Sequence, residues 1–168
     1  MKTSISNLNQ VLAFQLEGMY EIVKNLQNAV PVAIKSTTSP ATKDLLRSCA
    51  ENLAEQRLKL KRIFGYILNG PFGRKAGTIA DVIVPFKEIS ERNAEDPLRD
   101  ILYMTSMQAA SQFTITSYTD ARYIAMRLEL DTVVRLLDEM LNGEEAFLHR
   151  LRCYSAQQIN DACLLTPC

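Results

Sequence analysis

The sequence has no excess of either charge and no long apolar run. Its 168 residues contain 19 Lys and Arg against 19 Asp and Glu, so the formal net charge is zero. Phosphate binding grows with the number of cations that a protein presents, and we therefore expect no nucleic-acid partner. The longest apolar runs, such as Val82-Ile83-Val84, fall far short of the ~20 residues that span a bilayer. The sequence thus predicts no membrane partner.

Cysteine is sparse in the sequence. The N-terminus shows no basic start followed by an apolar core, which is the pattern of a secretion signal, so we expect a cytoplasmic location. The four cysteines, at 49, 153, 163 and 168, show no Cys-x-x-Cys spacing, which makes a zinc or redox motif a weak interpretation. Reduced thiols are the default in this compartment, although Cys163 and Cys168 could pair under oxidation. Cys49 lies on an apolar stripe and is predicted to be a small buried hydrophobe.

Apolar residues recur every three or four positions along most of the chain, which indicates helices rather than strands. Several starts carry a capping side chain or a proline at the first helical position: Ser6, Ser39-Pro40, Asp96-Pro97 and Asp131. The first helix is expected to bend at Pro31. The pattern predicts four long helices and a short one: 6–34, 41–68, 79–91 (short), 97–129 and 131–151.

Four long helices with a short one between the second and third predict an all-α, ferritin-like antiparallel four-helix bundle. The short helix belongs to a crossover that carries the chain from one end of the bundle to the other. We expect one bundle domain over residues 1–152 and a C-terminal tail over 153–168, with a helical turn or two near Ala156 to Ala162.

Helix layout and several short segments resemble the YciE/YciF-like ferritin-like family over residues 8–151. The resemblance is carried by Leu12 to Ile67, with Ala29-Val30-Pro31 and Thr38-Ser39-Pro40 at the first interhelical connection, and by residues 116–122 (Thr-Ser-Tyr-Thr-Asp-Ala-Arg) and 136–141 (Leu-Leu-Asp-Glu-Met-Leu). It implies a ferritin-like bundle, usually dimeric, in a bacterial family associated with stress responses and without a settled activity.

The dinuclear metal centre of ferritin-like enzymes needs about four inward carboxylates and a Glu-x-x-His pair on each of two helices. The single histidine, His149, follows Ala146 by three positions, and Glu145 lies four before it. The resemblance implies that most of the other ligand positions are also replaced. Six residues of this chain occupy those positions: Val23, Glu55, Lys59, Ser111, Thr114 and Glu144. Only Glu55 and Glu144 among them are acidic. We therefore predict no metal, no cofactor and no catalytic residue.

Glu144 is both acidic and on an inward stripe, and it admits two interpretations. In the first, it is a surviving metal ligand or a proton-handling group. In the second, it is a carboxylate at the edge of the core that Arg122 or Lys59 neutralises. We favour the second, because an unpaired buried carboxylate is costly. Gln56 and Gln112 admit either a ligand site or, as the alternative, a polar core layer that fixes helix register. Four tyrosines are interpreted as core-edge packing with hydrated hydroxyls: Tyr20, Tyr103, Tyr118 and Tyr123.

Two functions remain open from the sequence. The first is a non-enzymatic ferritin-like structural or interaction protein, stress-related, homodimeric and with an unidentified protein partner. The alternative is a metal-binding oxidoreductase of the ferritin superfamily with a reduced, asymmetric site around Glu144, Glu55 and His149. A small apolar ligand held between the helices is a weaker third interpretation. The apolar content of the short helix also favours a dimer.

Overall fold

The structure is a computed structural model that describes residues 5–67, 88–91 and 95–165. Within these ranges all regular structure is helical, and four long helices account for most of it. They are α1 (Leu8–Ser36), α2 (Pro40–Ile67), α3 (Asp96–Arg127) and α4 (Asp131–Leu165). Residues 88–91 add a helical turn. The predicted all-α class is confirmed.

The four helices form an antiparallel bundle. α1 packs on α2 and α3 packs on α4, and each pair is joined by a connection of three residues, which forces neighbouring helices to run antiparallel. The end of α1 meets the start of α3, where Ser36 and Tyr103 share a hydrogen bond of 2.6 Å. The start of α2 meets the second half of α4, where the hydroxyls of Thr42 and Tyr154 lie 3.0 Å apart.

The end of α2 and the start of α3 lie at opposite ends of the bundle. α2 has 28 residues and is therefore about 42 Å long. It begins beside the end of α1, and α3 begins beside that same end, so α2 and α3 run in the same direction. This topology confirms the predicted ferritin-like bundle with a long crossover. Most of the predicted short helix, Ile79 to Glu91, lies outside the described residues, although residues 88–91 are helical and Ile89 is buried.

The first helix start differs from the prediction by one residue. Asn7, not Ser6, is the N-cap: its side-chain oxygen accepts a hydrogen bond of 3.0 Å from the backbone N–H of Gln10. Ser6 contributes in the opposite direction, because its backbone N–H donates to the side-chain oxygen of Gln10 at 2.7 Å. The two bonds satisfy amides on both sides of the helix start.

The starts of α2 and α3 both use a proline, as predicted. Pro40 opens α2, and the Ser39 hydroxyl accepts from the backbone N–H of Thr42 at 3.3 Å. In α3 the cap position is Glu95, so the prediction of Asp96 as the cap was wrong by one residue. Asp96 lies in the first turn, where its charge complements the helix dipole and pairs with Arg99 at 3.0 Å.

Two helices continue beyond their predicted ends. α1 runs through Pro31 to Ser36. α4 continues to Leu165, past the end of its predicted apolar stripe at Leu151, because Tyr154 bonds to the start of α2 and Ser155 is buried. The division into a bundle of residues 1–152 and a tail of 153–168 stays a prediction.

One contiguous apolar core runs through the bundle and draws on all four long helices. Each large apolar side chain that is fully buried contributes roughly 1.5–3 kcal/mol to folding. The largest fully buried side chains are Tyr103, Tyr118, Phe64, Leu12, Leu16, Leu46, Leu60, Ile63, Met104, Leu136, Leu137 and Met140.

The turn between α3 and α4 places a glutamate in a conformation that favours glycine. Glu129 has a φ of 56°. Its N–H donates to the carbonyl of Met126 at 3.1 Å, and the N–H of Leu130 donates to that of Ala125 at 3.0 Å. This pair of bonds is the Schellman motif, whose left-handed residue is usually glycine because a Cβ is unfavourable there.

Replacing this residue with glycine is expected to stabilise the protein. Glu129→Gly removes the strain of the left-handed conformation, and we expect the free energy of unfolding to rise by about 0.5–1 kcal/mol in urea denaturation. Glu129→Ala is the control, because it removes the same exposed carboxylate and keeps a Cβ. A glycine variant no more stable than the alanine variant would contradict this account of the turn.

Candidate functional site

Five polar residues meet in the middle of the bundle, and we call them the polar core layer: Asn52, Gln56, Ser111, Tyr118 and Glu144. The first two lie on α2, the next two on α3 and the last on α4. Glu144 is only 5% exposed, and Gln56, Ser111 and Tyr118 are also buried. A carboxyl group at this depth must be hydrogen-bonded or protonated, because an isolated buried charge is very costly.

Three neutral groups donate hydrogen bonds to the Glu144 carboxyl. The side-chain amides of Asn52 and Gln56 donate to Oε2 at 2.7 and 2.5 Å. The Ser111 hydroxyl donates to Oε1 at 2.5 Å. Both carboxyl oxygens therefore have partners from α2 and α3, and Glu144 ties α4 to both helices.

Tyr118 extends the network by one more bond. Its hydroxyl donates to the Gln56 amide oxygen at 2.9 Å. Because that oxygen is occupied, the Gln56 amide presents its nitrogen to Glu144. The result is a directed chain from the Tyr118 hydroxyl through Gln56 to the carboxyl group, and each step fixes the orientation of the next.

Burial controls the acid–base behaviour of this layer. It raises the pKa of Glu144 from its ordinary value of 4.5, while the hydrogen bonds from Ser111, Gln56 and Asn52 act in the opposite direction. Burial also raises the pKa of Tyr118 and that of the nearby Cys49, and the charge of Glu144 adds to both shifts. Cys49 therefore stays a thiol at neutral pH and is a poor nucleophile, as its predicted role of buried hydrophobe requires.

A small cavity adjoins the carboxyl group. Cys49, Asn52, Gln56, Ser111 and Glu144 are among its lining residues. The space that the centre of a water molecule can occupy is about 10 Å³, which is the lower limit for one water. It is too small for the apolar ligand considered from the sequence.

Glu144 is not neutralised by either of the cations that the sequence suggested. Arg122 bonds to Asp138, and the Lys59 ammonium lies 3.3 Å from a carboxylate oxygen of Glu139. Both pairs are partly exposed at the edge of the bundle. Neutral amide and hydroxyl donors take the place that the prediction gave to a cation, because only side chains on the inner faces of α2 and α3 reach this depth.

The predicted polar core layer was right for Gln56 and wrong for Gln112. Gln112 is exposed, and its side-chain oxygen accepts a bond of 3.0 Å from Arg152. The preceding residue, Ser111, takes the inward position, and successive helical residues differ in direction by about 100°. Sequence reasoning had placed Ser111 and Thr114 at inward positions, and both are buried.

The residues of the alternative oxidoreductase site lie apart. Glu144 is buried, whereas Glu55 on α2 and His149 on α4 are exposed. His149 instead approaches Cys153, with 3.9 Å between Nε2 and Sγ. Glu144, Glu55 and His149 therefore do not form one site.

Sequence reasoning missed Asn52 and assigned Tyr118 to the edge of the core. Tyr118 is fully buried and so is Tyr103, whereas Tyr123 is exposed as expected for a hydrated hydroxyl. Helical spacing could have predicted the inward position of both residues. Asn52 lies one turn before Gln56, and Tyr118 lies four residues after Thr114. Each therefore shares a face with a residue already predicted to point inward.

The donor set of the layer does not suit a dinuclear metal centre. Such a centre uses about four carboxylates, and the layer has one, whose oxygens already accept three bonds. The nitrogens of Asn52 and Gln56 face the carboxyl group, and an amide nitrogen is not a metal ligand. In the part of the chain that the structure describes, no group of three His, Cys, Asp or Glu side chains is placed to hold a metal ion.

None of the described helices combines the length and the apolar character that a bilayer crossing requires. This finding agrees with the even mixture of charges along the helices.

Known proteins similar to this chain share its fold. The stress protein YciF of E. coli superposes with a TM-score of 0.87 at 19% identity, over 93% of this chain and 99% of that one. YcfI, a putative structural protein from Rhodopseudomonas palustris, superposes with a TM-score of 0.83 at 24% identity, over 90% of this chain and 97% of that one. Curated proteins give no match.

A family model described as a domain of unknown function, DUF892, matches residues 7–164. The match takes in three long helices whole, α4 except for its last residue, and every residue of the polar core layer. The chain therefore belongs to the DUF892 family and has the YciF-like, ferritin-like fold.

Proposed function

We propose that this protein is a non-enzymatic structural or interaction protein related to stress responses, in which the metal position of the ferritin-like bundle has become a polar core layer. The observation that carries the proposal is the saturation of Glu144 by three neutral donors. The two similar structures, a stress protein and a putative structural protein, support the same class.

The layer stabilises the bundle by fixing the register of its helices. Glu144 accepts bonds from α2 and α3, so sliding any of these helices by one turn would leave buried donors without acceptors. Each unsatisfied buried group costs about 1–3 kcal/mol. The layer therefore favours one packing of the helices over its alternatives, a role that buried polar groups have in other bundles.

Elemental analysis tests the absence of a core metal. The measurement uses the His149→Ala, Cys153→Ser double variant, so that any metal taken up by this exposed imidazole and thiol, which lie 3.9 Å apart, does not contribute. We expect iron, manganese and zinc well below about 0.1 equivalent per chain after purification without chelator. One or two equivalents that disappear in the additional Glu144→Gln variant would refute the proposal.

We further propose a cytoplasmic homodimer that uses the outer face of α3. This face carries apolar side chains along the whole helix: Leu98, Leu102, Phe113 and Tyr123 are 45%, 40%, 45% and 61% exposed. Their spacings of 4, 11 and 10 residues keep them close to one face. Exposed large apolar side chains thus recur on the outer face of a helix whose inner face is buried in the core, and a second copy of the chain is the occupant we propose to cover them.

Light scattering tests the dimer. We expect twice the chain mass of 18.9 kDa for the unchanged protein and the mass of one chain for Phe113→Asp, because the carboxylate would be buried in an apolar contact. Leu58→Asp is the matched control, since Leu58 is 63% exposed on α2, away from this face. A monomer mass for the unchanged protein, or dissociation by the control alone, would exclude this interface.

A further inference from the structure

An exposed histidine and an exposed cysteine approach each other on α4. His149 and Cys153 are four residues apart, so they lie one above the other on the helix surface. His149 Nε2 and Cys153 Sγ are 3.9 Å apart, and the thiol is not in a disulfide. Neither residue belongs to the polar core layer or to the proposed dimer face on α3.

We propose that His149 and Cys153 form a two-point surface site for a borderline-soft divalent cation, with Zn²⁺ as its reference ligand. Zinc bonds of about 2.3 Å to sulfur and about 2.0–2.1 Å to nitrogen, at a tetrahedral angle, place the two ligand atoms roughly 3.5 Å apart. The observed 3.9 Å exceeds that separation by a few tenths of an ångström. Small side-chain rotations close this gap, because both side chains are exposed and the helix fixes their backbones.

The neighbouring cations leave the site open. Arg150 donates to the Ser48 hydroxyl at 3.0 Å and Arg152 to the side-chain oxygen of Gln112 at 3.0 Å. Each arginine thus turns toward a neighbouring helix, away from the His149–Cys153 face. Glu145, one turn before His149, is exposed on the same side of α4. Its carboxylate adds a negative charge near the site without reaching the thiol, since eight helical residues span about 12 Å.

The ligand set determines which cations bind and how pH affects them. Thiolate and imidazole select Zn²⁺, Co²⁺ or Ni²⁺ over Mg²⁺ and Ca²⁺, which prefer oxygen. Binding converts the thiol of Cys153 to a thiolate, so one proton leaves for each cation bound: RSH plus M²⁺ gives RS–M⁺ plus H⁺. The apparent affinity therefore rises with pH. Water fills the remaining coordination positions, which keeps the site exchangeable.

Co²⁺ and Zn²⁺ titrations of the full chain test the proposal. We expect one Co²⁺ per chain with a thiolate-to-cobalt charge-transfer band, and competition of that band by Zn²⁺ but not by Mg²⁺. His149→Ala and Cys153→Ser should each weaken Zn²⁺ binding about tenfold or more in calorimetry. Cys163→Ser is the matched control, because Cys163 is also an exposed, free thiol on α4.

The single histidine of the chain gives a second readout. Its imidazole signals in NMR are unambiguous, and they should shift with one equivalent of Zn²⁺ in the unchanged protein and in Cys163→Ser. Because both ligands are exposed, their variants should keep the helical circular dichroism of the parent. Absence of saturable binding, or a band that survives in Cys153→Ser, would overturn the proposal. Either result would leave the proposed function untouched, since that function rests on the polar core layer.

Discussion

Glu144→Ala is expected to lower the free energy of unfolding at pH 7 by about 3–5 kcal/mol. The substitution removes the acceptor of two buried donors, Gln56 and Ser111, and of the half-buried Asn52, and it leaves a void beside an existing cavity. Urea denaturation followed by circular dichroism measures the change. Glu145→Ala is the matched control, because the neighbouring glutamate is exposed, and we expect a change within about 0.5 kcal/mol.

Glu144→Gln separates the hydrogen bonds from the charge. The amide oxygen can accept from Asn52 and Gln56, and the amide nitrogen can donate to the Ser111 hydroxyl, which both donates and accepts. We therefore expect a loss of no more than about 1 kcal/mol at pH 7. A glutamine variant as unstable as the alanine variant would show that the negative charge itself is required, as a bound metal would require it.

The same pair of proteins shows a pH dependence of known sign. Burial raises the pKa of Glu144 in the folded state above its ordinary value of 4.5. The contribution of Glu144 to stability is therefore fully present below pH 4.5 and falls as the pH rises toward the folded-state pKa. Subtracting the glutamine variant cancels the other carboxylates. The difference in free energy of unfolding, unchanged protein minus Glu144→Gln, should fall across this interval, and a rising difference would contradict the account.

Gln56→Glu is the second substitution with a large expected effect. It replaces the amide that donates to Glu144 at 2.5 Å with a carboxylate, so two buried carboxyl groups would meet. Like charges at this separation cannot both ionise, and one proton must be held between them. We expect a loss of about 3–5 kcal/mol at pH 7.5. The hydrogen bond from Tyr118 can persist, because the carboxylate still offers it an oxygen.

Acid should restore much of that stability. As the pH falls to the ordinary pKa of a glutamate, both the folded and the unfolded forms take up protons, and a shared O–H···O bond replaces the repulsion. Denaturation at pH 7.5 and at pH 4.5 therefore gives unequal losses, with the smaller loss in acid. Gln112→Glu is the control, since Gln112 is exposed beside Arg152, and it should change stability little at either pH. Equal losses of Gln56→Glu at both pH values would contradict the buried-pair interpretation.

The fold followed from the sequence because helix periodicity is a long-range signal. Each stripe repeats over many turns, so an error of one residue at Ser6 or Asp96 moves a boundary and leaves the bundle unchanged. The crossover was also predictable, since the number and lengths of the helices restrict their connections. The end of α4 was not, because residues 153–165 are held by contacts of Tyr154 and Ser155 that no local pattern records.

The site was less predictable because it depends on which residue of each turn faces inward. One step along α3 separates the buried Ser111 from the exposed Gln112, and residue type alone favoured the wrong one. The partner of Glu144 was sought among cations, which are the strongest single partners, whereas the structure uses three weaker neutral donors. Such a set becomes evident only when three helices are packed together.

The central claim is that neutral donors, and not a metal, hold Glu144. The most direct test is to measure the melting temperature with and without metal. The measurement compares the His149→Ala, Cys153→Ser variant with the same variant carrying Glu144→Gln, each with excess Fe²⁺, Mn²⁺ or Zn²⁺. A cation that binds only the folded state must raise the melting temperature. The account predicts no rise beyond about 1 °C in either protein. A rise of several degrees that disappears with Glu144→Gln would contradict it.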